Sequence, residues 1–275
     1  MELINSNSTV KLNNGLEIPI LGLGVWKAES GNEVKDAIKW AIKDGYKLLD
    51  TAKIYGNEKS VGEAIKESGV KREDLFVTTK LFNTDQGYDN ALNAFDKSLS
   101  DLDLDYVDLY LIHFPVAGLR KDSWKALEEI YDSKRAKAIG VSNYTINHLK
   151  ELMEYSSIMP AVNQVEFHVF LYQKELLEFC KQHKIQLQAY SPLISGERIN
   201  DPDITKIAEK YNKSNAQILI RWCLQHDVIT IPKSVKEERI KENINVFDFN
   251  ISKVDMDYLD SLGDNIRVCW DPTGV

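Results

Sequence analysis

Gly45-Tyr46-Lys47-Leu48-Leu49-Asp50-Thr51-Ala52-Lys53-Ile54-Tyr55-Gly56-Asn57-Glu58 is the stretch whose reading decides the fold. A short apolar run ends in a carboxylate, Asp50, and Tyr55 follows five positions later. The same kind of event recurs twice downstream. Leu75-Phe76-Val77-Thr78-Thr79 runs into Lys80, and Val107-Asp108-Leu109-Tyr110-Leu111-Ile112 runs into His113. Titratable groups at the carboxyl ends of successive strands are what a barrel enzyme presents at its catalytic face.

Outward from these three strand ends, short apolar runs alternate with amphipathic stretches. Runs at 20–24, 48–49, 75–79, 107–112, 136–141, 161–165, 185–189 and 228–231 have the length of buried parallel strands. Helical periodicity falls between them, for example at 33–43, 88–102, 123–133 and 174–183, and Ser214-Asn215-Ala216-Gln217 reads as a capping box ahead of 218–224. Ahead of the first run, 10–19 reads as a hairpin with Asn14-Gly15 at its turn, placed to close the barrel bottom. A doubly wound dinucleotide fold would carry Gly-x-Gly-x-x-Gly between its first strand and helix. Here Gly22-Leu23-Gly24 is followed by Lys27, and no P-loop pattern occurs. Eight strand candidates over one uninterrupted core predict an α/β (β/α)8 TIM barrel, a single domain over 1–275.

Bulk composition narrows the partners. The 275 residues are 43% hydrophobic and 28% charged, an ordinary globular balance. A net charge of −8 argues against nucleic acid and anionic membranes, because phosphate neutralisation needs clustered Lys and Arg. The first residues have neither a basic nor an apolar signal region, and no apolar run has the length of a membrane span. Cys180, Cys223 and Cys269 are widely spaced, without a Cys-x-x-Cys, as expected of reduced thiols in the cytoplasm. No metal-ligand cluster is evident.

Taken singly, the strand-end residues have ordinary readings: a helix cap for Asp50, a half-buried ring for Tyr55, a solvated charge for Lys80, a core imidazole for His113. On neighbouring strands they converge. A phenol has a pKa near 10 and exchanges its proton reluctantly at neutral pH. An adjacent ammonium lowers that pKa, a carboxylate keeps the ammonium charged, and an imidazole donates to a substrate oxygen as negative charge develops. The set suits protonation of a carbonyl undergoing reduction, so a hydride source is needed as well. Ile231-Pro232-Lys233-Ser234-Val235-Lys236-Glu237-Glu238-Arg239 follows the last strand, where barrels often bind phosphate. Lys233, Ser234 and Arg239 are candidates for that role; a solvated charged helix is the plainer reading. Ser142-Asn143, Asn163-Gln164 and Tyr190-Ser191 end further strands in groups able to face a carboxamide ring.

With these blocks in view, the chain resembles the aldo-keto reductases from about Val10 to Asn243. The resemblance rests on Gly45-Tyr46, Asp50-Thr51-Ala52, Tyr55-Gly56-Asn57-Glu58 and Val61-Gly62; on Lys137-Ala138-Ile139-Gly140-Val141-Ser142-Asn143-Tyr144; and on Ile231-Pro232-Lys233-Ser234, Arg239 and Glu242-Asn243. It implies NADPH/NADP+ bound without a Rossmann fold, hydride transfer from nicotinamide C4 to a carbonyl carbon, and Asp50, Tyr55, Lys80 and His113 as the catalytic set, with Tyr55 the proton donor. It further implies Ser142, Asn143 and Gln164 at the carboxamide, Tyr190 stacked on the nicotinamide, and Gly24, Val25, Trp26 and Asp50 near it. Ser191, Leu193 and Ser195 would follow the pyrophosphate. Lys233, Ser234, Val235 and Arg239 would lie at the 2′-phosphate, with Glu242 and Asn243 on the adenine. Trp26, Tyr55, Phe82, His113 and Phe114 would face the substrate.

Departures from the family pattern are Lys47 for Arg, Val169 for Pro, and Phe82 and Phe114 where tryptophans are common. The segment after His113 is short, as is the stretch after Leu262, so an open, aromatic-lined pocket for varied small aldehydes is expected. We expect a monomer. Two rival readings are a barrel of this family without turnover, serving as a scaffold, and a lyase using Lys80 as a Schiff base.

Overall fold

The computed structural model describes residues 5–274. Eight parallel strands make one sheet in sequential order: β3 (Gly22–Gly24), β4 (Leu48–Asp50), β5 (Phe76–Leu81), β6 (Val107–Ile112), β7 (Ala136–Ser142), β8 (Val162–Glu166), β9 (Gln186–Tyr190) and β10 (Ile229–Thr230). The two edges meet. Leu21 pairs with Thr230 and Gly24 with Lys233, and the Thr230 amide donates to Ile20 O at 3.0 Å, so the sheet closes into a (β/α)8 barrel. Helices α1 (Asn32–Lys43), α2 (Glu58–Ser68), α3 (Tyr88–Leu102), α4 (Arg120–Asp132), α5 (Ile146–Tyr155) and α6 (Lys174–Gln182) follow successive strands. Two helices, α7 (Pro202–Tyr211) and α8 (Asn215–Gln225), separate β9 from β10; α9 (Glu237–Ile244) packs on α1 to complete the ring, and α10 (Lys253–Asp260) comes last. Among the described residues no helix is long and apolar enough to cross a membrane.

The amino-terminal hairpin pairs β1 (Thr9–Lys11) with β2 (Glu17–Pro19). Its loop is longer than a two-residue turn: the Leu12 amide donates to Leu16 O, and Gly15 sits at φ +89°, where a side chain would be strained. Asn13 Nδ2 donates to Pro160 O and Asn14 Nδ2 to Lys137 O, both beside the starts of barrel strands. Leu12 and Ile18 thereby plug the barrel bottom against Leu48, Phe76, Leu109 and Val162.

Strand alternation decides what reaches the other end. Leu48 belongs to this inner cluster and Leu49 to the outer one beneath the helices, so Asp50 points inward again. On β5 the inner positions are Phe76, Thr78 and Lys80. Thr79 points outward, and its hydroxyl donates to Glu58 on α2 at 2.6 Å. On β6 Leu109 and Leu111 face inward, and His113 continues that row. The bottom is therefore apolar and the top polar. Helix α2 comes so close to the end of α3 that a Cβ on Gly62 would lie 2.0 Å from Leu102 O, which is why this motif position takes glycine. The Ser214–Gln217 capping box forms as expected, and Thr145 with His148 makes a second one on α5.

Candidate active site

The carboxyl ends of the strands open onto a cavity of about 1640 Å³. At its floor Lys80 Nζ, fully buried, donates to Asp50 Oδ1 at 2.6 Å, to Thr51 O at 2.8 Å and to Tyr55 Oη at 3.4 Å. These three bonds use all three ammonium donors. The Tyr55 ring meets the His113 ring edge-on at 5.8 Å, and Phe82 flanks the imidazole at 6.2 Å. Asp50 Oδ2 accepts from Gln164 Nε2 across the barrel at 2.7 Å, and the same nitrogen donates to Gln188 Oε1 at 2.9 Å. Asn57, buried at the start of α2, accepts from Thr51 Oγ1 and donates to Val25 O and Ala28 O. It ties the loop carrying Tyr55 to the loop carrying Trp26.

The electrostatics differ from the sequence expectation at one point. Burial pushes the Tyr55 phenol well above its ordinary pKa, and the Asp50 carboxylate adds to the rise. The ammonium expected to lower it does not prevail. Burial pushes Lys80 down, and Asp50 at 2.6 Å, itself pushed up by burial, offsets much of its charge. His113 is pushed down to about 3 by burial, with Lys80 contributing, so its imidazole is neutral at ordinary pH. The site therefore holds a protonated phenol and a neutral imidazole, two hydrogen-bond donors facing one space.

A pH profile follows from these directions. With Tyr55 as the expected proton donor, reduction would be lost only as pH rises through the Tyr55 pKa, which lies above its ordinary value of about 10. His113 changes form only near pH 3, where protonation would add a second N–H donor, so it contributes no break at ordinary pH. The expected kcat/KM for reduction is flat from about pH 6 to 9. A break near 6.5 that disappears in His113→Gln would overturn the neutral-imidazole assignment.

Most residues anticipated from the sequence line this cavity. They are Gly24, Trp26, Asp50, Tyr55, Phe82, His113, Phe114, Asn143, Gln164 and Tyr190, together with Ser191, Leu193, Ser195, Lys233, Ser234, Val235, Arg239, Glu242 and Asn243. Three anticipated residues sit behind the wall. Val25 is buried with its amide on Asp50 O, Lys80 is buried beneath Tyr55, and the Ser142 hydroxyl donates to Gln164 O at 2.8 Å. Asn143 lies at φ +64°; its Nδ2 donates to His113 O and Ser142 Oγ, and its Oδ1 accepts from Tyr190 Oη at 2.7 Å. Lys233, Lys236 and Arg239 form no ion pair among the described residues, and they converge at the start of α9. Unpaired cations beside a helix amino terminus form a favourable setting for a phosphate.

Other lining residues escaped the sequence reading. Lys27 and Ile54 adjoin residues that were read; Thr205, Ser214, Asn215 and Ala216 come from α7 and the start of α8. Arg267, Val268, Cys269 and Trp270 form a wall from the segment after α10. Trp270 meets Phe114 edge-on at 6.0 Å. An exposed tryptophan in a short polar tail was the available signal.

The sequence model of the aldo/keto reductase family matches residues 20–264. The chain belongs to this family. It is 55% identical over 264 residues to a glyoxal reductase of Bacillus subtilis (strain 168), covering 96% of each chain. It is 50% identical to a 9,11-endoperoxide prostaglandin H2 reductase of Trypanosoma cruzi, covering 96% of this chain and 94% of the relative. Among solved structures it resembles an aldo-keto reductase from a deep-sea metagenome library, with a TM-score of 0.94, 45% identity and coverage of 98% and 99%. It also resembles a Bombyx mori aldo-keto reductase in complex with NADP, with a TM-score of 0.91, 36% identity and coverage of 97% and 95%. Aldo/keto reductases are oxidoreductases acting on carbonyls. In this member Asp50, Lys80 and His113 stand at the strand ends that the sequence pointed to.

Proposed function

We infer that this aldo/keto reductase reduces small aldehydes, α-dicarbonyls and ketones to alcohols using NADPH. The observation that carries this reading is the Tyr55 hydroxyl, 3.4 Å from Lys80 Nζ and edge-on to His113, on the floor of a cavity that extends to Lys233 and Arg239. When bound, NADPH supplies the hydride that reduces the carbonyl carbon. Tyr55 gives its proton to the oxygen, so that hydride plus proton yields the alcohol. His113 donates a hydrogen bond that orients the carbonyl and spreads the developing negative charge. Asp50 and Lys80 form the buried pair that holds Tyr55 in place.

The residues suit the cofactor. Lys233, Lys236 and Arg239 would hold the 2′-phosphate, Tyr190 would stack on the nicotinamide, and Gln164 and Asn143 would meet its carboxamide. Lys80 has no free donor or open face, which argues against a Schiff-base lyase. The relative named for glyoxal reduction supports including α-dicarbonyls among the substrates.

The test is loss of NADPH absorbance with a panel of small aldehydes, dicarbonyls and ketones, repeated with NADH. A barrel serving as a scaffold would consume neither. Arg239→Ala should weaken NADPH binding by about 1.5–3 kcal/mol, the scale of a charged hydrogen bond, and leave NADH binding nearly unchanged. Equal losses for both cofactors, measured by fluorescence titration, would sink the phosphate assignment.

A further inference from the structure

Glu166, the last residue of β8, is wholly buried and does not line the cavity, yet it is bonded to the segment that walls it. Its Oε1 accepts from the Val268 amide at 2.7 Å and from His168 Nε2 at 3.0 Å, and its Oε2 accepts from the Cys269 amide at 3.2 Å. His168 is equally buried. Residues 263–270 belong to no helix or strand, so these two consecutive amides have no ladder partner and find their acceptors in one side chain. The adjoining bonds are weaker or peripheral. Gln173 bridges Glu166 O to the Arg267 guanidinium, Cys269 Sγ lies 3.5 Å from Ser191 Oγ, and Asp264 pairs with Arg198 at 2.8 Å. Immediately beyond the clamped pair, Trp270 projects against Phe114 with 68% of its surface exposed. So large an exposed ring has little packing of its own to hold it.

We propose that Glu166 is a positioning residue for substrate recognition: through the Val268 and Cys269 amides it holds Trp270 against Phe114 as an aromatic wall of the cavity, and so favours flat apolar carbonyl substrates such as aryl aldehydes. The proposal rests on the reductase reading for its substrate class. The clamp itself does not. A carboxylate is required because two amides approach its two oxygens. A glutamine in its place keeps one acceptor and turns an N–H against the other donor. A small dicarbonyl offers no ring for Trp270 to stack on, whereas an aryl aldehyde does. Aromatic pairs contribute about 0.5–1.5 kcal/mol beyond buried area, so loss of the wall should appear as a change of about two- to tenfold.

The experiment compares wild type with Glu166→Gln by hydrogen exchange of the peptide spanning Leu262 to the carboxyl terminus, and by KM for benzaldehyde against methylglyoxal. Expected are faster exchange in that peptide, with β8 protected as before, and a rise of about two- to tenfold in the ratio of the two KM values with little change in kcat. Val268→Pro removes the shorter donor from the exposed side and leaves the buried pair intact; it should shift the same ratio even if Glu166→Gln fails to fold. Unchanged exchange in either folded variant, or an unchanged KM ratio, would overturn the proposal. If wild type reduces no carbonyl, the reductase reading fails, and the exchange measurement still decides whether Glu166 orders the tail.

Discussion

Tyr55→Phe removes the proposed proton donor and should lower kcat for carbonyl reduction by about 10²–10⁴-fold, the range a positioned general acid contributes. The substitution deletes one oxygen. The ring should keep its edge-on contact with His113 and its place against the outer core cluster, so the fold is expected to be retained. The effect is large because the other donor at the floor cannot substitute. A neutral His113 orients and stabilises but has little tendency to release its proton, and Lys80 is engaged by Asp50 and Thr51 O. Single-turnover oxidation of bound NADPH separates chemistry from product release. A folded variant with near wild-type single-turnover rates would remove Tyr55 as the proton donor.

Lys80→Met should cost about 3–5 kcal/mol of stability, the scale for breaking a buried ion pair from one side. The side chain is fully buried, and its removal leaves the Asp50 carboxylate with Gln164 as its remaining side-chain partner. The variant's pH dependence carries a definite sign. Without the cation, burial outweighs the Gln164 hydrogen bond and raises the folded pKa of Asp50 above the unfolded one, near 4. The folded state then binds the extra proton, so Lys80→Met regains stability as pH falls and loses it as pH rises through the raised value. Adding Asp50→Asn removes the stranded charge, and the double variant should recover much of the loss. Urea unfolding of the two single variants and the double variant at pH 5 and pH 8 checks both statements. A loss for Lys80→Met that neither lessens at pH 5 nor is relieved by Asp50→Asn would mean that the pair is not coupled as the geometry indicates.

The barrel was legible because its strands are short, wholly apolar and bounded by polar groups. Residues 107–112 form β6 over the expected span, and 75–79 appears shifted, as Phe76–Leu81. Apolarity alone ended that strand too early, since the backbone pairs on through Lys80 and Leu81 with Leu111 and Ile112. The hairpin loop also came out longer than its Asn-Gly step suggested: the Leu12 amide bonds Leu16 O, and the amide groups of Asn13 and Asn14 reach across the barrel bottom to Pro160 O and Lys137 O.

Within the active site, Asp50, Lys80 and His113 were readable as strand ends, and Tyr55 by its distance from one of them. The sequence alone therefore determined a closed α/β barrel, the polar face, and which chemical groups stand on it, because a period of two along a strand leaves no choice of side once the apolar neighbours are placed. Only the tertiary structure decided how those groups behave. The direction of the Tyr55 pKa, the engagement of Gln164 by Asp50, and the Glu166 clamp on Val268 and Cys269 all depend on burial and on contacts between residues as far apart as 114 positions. Desolvation and long-range hydrogen bonds are set by what closes over a group in space, and no local pattern in the chain encodes that.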